Sequence, residues 1–161
     1  MNKVLVEGNG KHFVWRIIGS SIWVILGIGM IVFCIWARFT LAPSLDLQEI
    51  ELVQRIEEVW HIGVIVGIVI LVISIAELIR AVLVYKTNIT VYEDSIKGRF
   101  MTGFFSPLQE ISLSYNDIKD VGTKTERVIL HTAHTKYICH TKKCDKIRDK
   151  VMEFVNSDNQ S

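Results

Sequence analysis

Charge is missing from two long stretches of this sequence. Ile17 to Ala37 runs 21 residues between Arg16 and Arg38, and Val59 to Ala76 runs 18 residues between Glu58 and Glu77. Proline is nearly absent too: Pro43 and Pro107 are the only two in 161 residues, so nothing interrupts either run. Cysteine is scarce and odd in number, with Cys34, Cys139 and Cys144, which excludes the paired framework of a disulfide-stapled secreted domain. Neither sign of charge dominates, since 18 Lys and Arg stand against 17 Asp and Glu. That balance excludes the strong basic excess of a dedicated nucleic-acid binder. Catalytic signatures are missing as well. There is no G-x-S-x-G, no Walker loop and no H-E-x-x-H, and Gly8-Asn9-Gly10 shows neither the preceding strand nor the helix context of a phosphate loop. The reading is non-enzymatic, with no cofactor and no metal.

What remains is strongly apolar, half of the residues being hydrophobic. An uncharged run of about 18 residues covers the roughly 30 Å hydrocarbon core of a bilayer at 1.5 Å per residue. Two transmembrane helices are therefore expected, over about 15–37 and 59–84. The first run is about twice the apolar length of a signal peptide, and its end lacks a clean small-x-small site. It is expected to remain as an anchor.

Basic residues near the span ends set orientation. Lys11 and Arg16 flank one end and Arg80 and Lys86 the other, against Arg38 in an acidic connecting loop. Both termini are expected in the cytoplasm of a multi-pass protein of a cell inner membrane. Within the loop, Pro43 and Ser44 offer a helix start, and Asp46 and Glu49 suit the positive end of the dipole. An acidic outer helix over 44–60 that continues into the second span is predicted; the alternative is a short interfacial helix broken near His61 and Gly63.

Trp15, Trp36 and Trp60 fall at span ends, where indoles prefer the headgroup region, and Arg80 can snorkel there. All four are read as interfacial anchors. Gly63 and Gly67 form G-x-x-x-G, which permits close helix approach. Antiparallel depth matching pairs Gly67 with Gly29, with Gly27 one turn deeper. Packing within the hairpin is the favoured reading and a dimerisation face the other.

From Tyr85 the hydrophobic period switches to two. Strands are expected at 87–92, 96–104, 110–114, 118–123, 127–132 and 136–141. They are followed by a helix carrying Cys144, Ile147, Val151, Phe154 and Val155 at helical spacing, with Thr141 as its cap. Phe154 is the expected principal plug beneath that helix. The set His131, His134, Cys139, His140 and Cys144 has zinc-compatible side chains. Strand pairing separates it, because His131 opposite Lys136 and His140 opposite Arg127 lie roughly 13 Å apart at 3.3 Å per residue.

Two segments carry a resemblance. Tyr85-Lys86-Thr87-Asn88-Ile89-Thr90-Val91-Tyr92-Glu93-Asp94-Ser95-Ile96 resembles the opening hairpin of bacterial PH-like (pleckstrin-homology-like) domains. Glu110 to Val121 is similar to their E-I-P-L-x-x-I-x-x-V segment, with Ser112 where proline is usual. The chain thus resembles small bacterial membrane proteins that carry such a domain after a pair of transmembrane helices. The resemblance covers roughly residues 60–155. It implies a membrane α-helical hairpin (1–84) followed by a small α+β domain (85–161), a PH-like antiparallel β-barrel or sandwich capped by its C-terminal helix. These motifs imply a fold rather than a reaction; the linker-free join of Ile75–Tyr85 to the first expected strand and the lack of catalytic groups make the leading reading a membrane-anchored scaffold that self-associates as an oligomer or docks a membrane-protein partner. The alternative is a lipid- or small-ligand-sensing domain that meets membrane lipids through Lys86, Lys97 and Arg99.

Overall fold

The computed structural model describes residues 3–41, 50–104 and 106–158. Its elements run β1 (Val4–Asn9), α1 (Val14–Leu41), α2 (Ile50–Tyr85), β2 (Asn88–Tyr92), β3 (Ser95–Phe100), β4 (Gln109–Ser114), β5 (Ile118–Lys124), β6 (Arg127–Thr132), β7 (Lys136–His140) and α3 (Cys144–Asp158). The chain divides into two compact units. One holds residues Arg16–Ile79; the other joins Met1–Trp15 to Arg80–Ser161. The expected boundary at Tyr85 therefore leaves out fifteen N-terminal residues.

In the helical unit the apolar sequence makes two helices long and apolar enough to cross a membrane. Only 6% and 11% of their most apolar windows are buried, so apolar side chains such as Ile25, Phe33, Ile65 and Val72 face outward. A helix apolar all round belongs to a protein core or to a membrane span. The second helix is continuous from Ile50 through His61 and Gly63, without the break of the alternative reading. The predicted start at Pro43 and Ser44 lies outside the described residues.

Small residues set the seam between α1 and α2. A Cβ on Gly27 would meet the Leu71 backbone at 3.3 Å, one on Gly67 would meet Ile31 at 2.7 Å, and one on Gly63 would meet the Cys34 sulfur at 2.7 Å. Positions rising on α1 meet positions falling on α2, which is antiparallel packing. Gly29 is a correction, with open space where its side chain would be. Two residues on from Gly27, it has turned about 200° around the helix and cannot share its face.

The second unit is α+β. The order β1-β2-β3-β4 makes a four-stranded antiparallel sheet and β5-β6-β7 a three-stranded one. A bridge between Met101 and Ile138 links them, and neither sheet closes on itself. Alternation sends Ile89 and Val91 of β2, Ile96 and Phe100 of β3, and Val128 and Leu130 of β6 into one core. The α3 stripe of Cys144, Ile147, Val151 and Val155 seals that core. Phe154 is corrected from the plug to its edge: it is half-buried and stacks on Tyr115 at 5.0 Å, while Ile147 and Val151 are fully buried. Tyr115 also donates its hydroxyl to the Tyr92 carbonyl. The third strand ends at Phe100 rather than 104, because Ser106 accepts the Thr102 and Gly103 N–H groups at 2.8 Å and turns the chain away.

The first strand was not predicted. It pairs antiparallel with β2 from Asn9 opposite Asn88 to Val4 opposite Tyr92, so a strand does precede Gly10. A Cβ on Gly8 would strike Thr141 Oγ1 at 2.6 Å and Ile147 at 2.7 Å, which is how closely β1 lies against α3.

Candidate functional site

Pairing of β1 with β2 joins the residue before α1 to the residues after α2, and a buried knot forms there. The Gly10 N–H donates to the Thr87 carbonyl at 3.0 Å, and the Thr87 N–H donates to the Val84 carbonyl at 3.1 Å. The buried Thr87 hydroxyl donates to that same carbonyl at 2.7 Å and accepts the His140 N–H at 3.2 Å. Only glycine fits at position 10, since a Cβ would lie 2.0 Å from the Val84 oxygen. Phe13, Val84 and Met101 form a second small core with Leu83, Leu108 and Ile138. Phe13 sets its ring edge-on to His140 at 5.4 Å, and His12 Nε2 lies 3.5 Å from the Glu126 carboxylate. Glu126 adopts a left-handed φ of 58° in the turn between β5 and β6.

Beside this knot lies a cavity of about 210 Å³. Its charged and polar walls are Arg80 of the last turns of α2, Arg127 of β6, and Lys136 and His140 of β7. Val84, Met101 and Ile138 give an apolar floor. The register explains the convergence. Lys136, Ile138 and His140 alternate onto one face of β7, and Arg127 sits opposite His140. Arg80 holds its guanidinium 3.9 Å above the Phe104 ring, which also lines the cavity. Among the described residues no carboxylate lines the cavity.

The residues singled out from sequence are distributed differently. Lys97 and Arg99 are exposed on one face of β3, Arg99 lying 3.6 Å from Glu110 and Lys97 5.7 Å over the Tyr92 ring. Lys86 is exposed in the turn between α2 and β2. Arg80, read as an anchor, is the one cation of that set in the cavity wall. Trp15 and Trp36 are largely exposed, and Trp60 carries the Arg38 guanidinium at 4.5 Å over its ring. A second groove of about 340 Å³ lies in the helical unit, between Arg16, Ser20 and Trp23 of α1 and Ser74 and Glu77 of α2.

His131 and His140 stand at opposite ends of the β6–β7 ladder, facing Lys136 and Arg127. Among the described residues no group of three or more His, Cys, Asp or Glu side chains could hold a metal ion. Burial pushes the Cys139 thiol from its ordinary 9.0 up to about 12, against a smaller opposing hydrogen bond with Thr87. Burial also raises Cys144, with the neighbouring Asp145 adding to it. Both shifts favour the neutral thiol. The cavity was missed because its cations are scattered from residue 80 to 140 and only the tertiary structure gathers them. No family model, curated protein or solved structure matches the chain.

Proposed function

We propose that the protein is a non-enzymatic membrane module. The two apolar helices form a spanning hairpin with both termini in the cytoplasm, and seven strands with α3 form a PH-like domain that docks a membrane partner or a second copy. The observation that carries this is the pairing of β1 with β2 around the helices. It joins the chain before α1 to the chain after α2 in one folded unit, which supports a hairpin with both ends on one side of the membrane. The basic flanks Lys11, Arg16, Arg80 and Lys86 favour the cytoplasmic side. The PH-like reading draws support from the four-stranded and three-stranded sheets followed by a C-terminal helix. In it the membrane hairpin is an insertion between the first two strands.

Photo-crosslinking in intact membranes tests the docking role, with the probe placed at exposed positions of α3 such as Lys146 and Asp149. A discrete adduct with a second copy or another membrane protein is expected. No adduct from either position would remove the docking reading.

A further inference from the structure

We propose that the cavity between α2, β6 and β7 binds a phosphate-type anion. Its chemistry points that way from several sides. Arg80, Arg127 and Lys136 line one small space, and the Arg127 and Lys136 charges gathered there repel one another until an anion joins them. Elsewhere in this unit cations meet carboxylates: Arg99 meets Glu110, Arg148 meets Asp149 at 2.7 Å, and Lys150 meets Glu153 at 2.8 Å. Among the described residues no carboxylate pairs with Arg127 or Lys136. The acid nearest Arg127 in sequence, Glu126, is turned to His12.

The donors suit a tetrahedral oxyanion. Guanidinium groups fork onto two oxygens at once, and an ammonium adds a point charge. Arg80 is already oriented by its stacking on Phe104, so less side-chain freedom is lost on binding. The apolar floor of Val84, Met101 and Ile138 lowers the local dielectric and strengthens each contact. Arg80 and Val84 lie in the last turns of the second candidate span, Glu58–Tyr85, which is where a spanning helix reaches the depth of lipid phosphates. A phospholipid headgroup and a soluble phosphate share this chemistry.

The inference goes beyond the docking role and is separable from it, because one arm of its test needs no bilayer. Full-length protein in neutral detergent is titrated with inorganic phosphate. In parallel it is placed in phosphatidylcholine nanodiscs with or without phosphatidylglycerol, and retained lipid is counted by native mass spectrometry. Wild-type protein is expected to bind in at least one arm; the phosphate arm alone marks a soluble ligand, and the phosphatidylglycerol arm a headgroup. Arg127→Gln with Lys136→Gln should weaken binding by about tenfold or more, the scale of one charge-assisted hydrogen bond. Lys136→Gln alone, at an exposed side chain, should weaken it measurably and guards against misfolding of the double variant. Lys97→Gln with Arg99→Gln removes the same charge from β3 and should leave binding unchanged. Binding in neither arm, equal binding by wild type and Lys136→Gln, or an equal loss in the β3 variant would overturn the proposal.

Discussion

Thr87 and Cys139 show how single groups tie this fold together. The hydroxyl of Thr87 reaches the end of α2 through Val84 and the end of β7 through His140, while Cys139 fills the core beside it without exposure. Because burial holds the Cys139 thiol at about 12 in the folded state against 9.0 ordinarily, the unfolded chain gives up its proton first. Its contribution is fully present below pH 9 and is lost as pH rises toward 12. Wild-type protein should therefore lose stability relative to Cys139→Ala as pH is raised from 9 to 11. Urea unfolding of both proteins at each pH checks this, and parallel curves would contradict it. Cys139 was legible as a core residue because β7 alternates. Its neighbour His140 was not legible as a cavity residue, since that role depends on Arg80 and on a fold between them.

At the scale of elements, α3 separates pattern from packing. Helical spacing gave the stripe from Cys144 to Val155, yet it could not tell which member sits at the centre. The sheets decide that: Ile147 meets Gly8 of β1, and Phe154 is left beside Tyr115 at the rim. Ile147→Ala should destabilise the protein by about 2–5 kcal/mol, the range for a buried aliphatic truncation. Phe154→Ala should cost less, about 1–2 kcal/mol for a half-exposed stacked ring. Urea unfolding of the full chain in detergent ranks them; Phe154→Ala costing more would restore it as the plug. The strand β1 escaped sequence reading for a different reason. Val4-Leu5-Val6-Glu7-Gly8-Asn9 is short, ends in poor strand formers, and has no turn linking it to a partner. Residues 85–161 alone should thus leave the β2 edge bare and fold poorly, whereas 1–12 joined to 86–161 through a short Gly/Ser linker should unfold cooperatively. Dispersed amide NMR signals from both chains alike would show β1 to be dispensable.

The whole chain was most legible where charge is absent, because a long uncharged run has few physical solutions. It was least legible where distant segments meet. If the helices span a bilayer, the β1–β2 pair requires Lys3 and the C-terminal segment to lie on one side. Single cysteines at Lys3 and Asn156, in a background lacking Cys34, Cys139 and Cys144, should both resist a membrane-impermeant maleimide in intact cells and react after permeabilisation. Labelling of one position alone before permeabilisation would rule out the paired topology.

The same pairing imposes an order of events during synthesis. The first strand leaves the ribosome before either apolar helix, and its partner emerges only after both have been made. At about 5–20 residues per second this interval lasts on the order of seconds, during which Val4 to Asn9 has no neighbour to pair with. Closing so long a loop also carries an entropic cost that a nearby hairpin avoids. Antiparallel packing of α1 against α2 brings their ends together and reduces that cost. In a chain whose helices span a bilayer, as proposed, insertion becomes a step in folding the sheet, and a failure to insert would leave β1 and β2 as two bare strand edges open to aggregation.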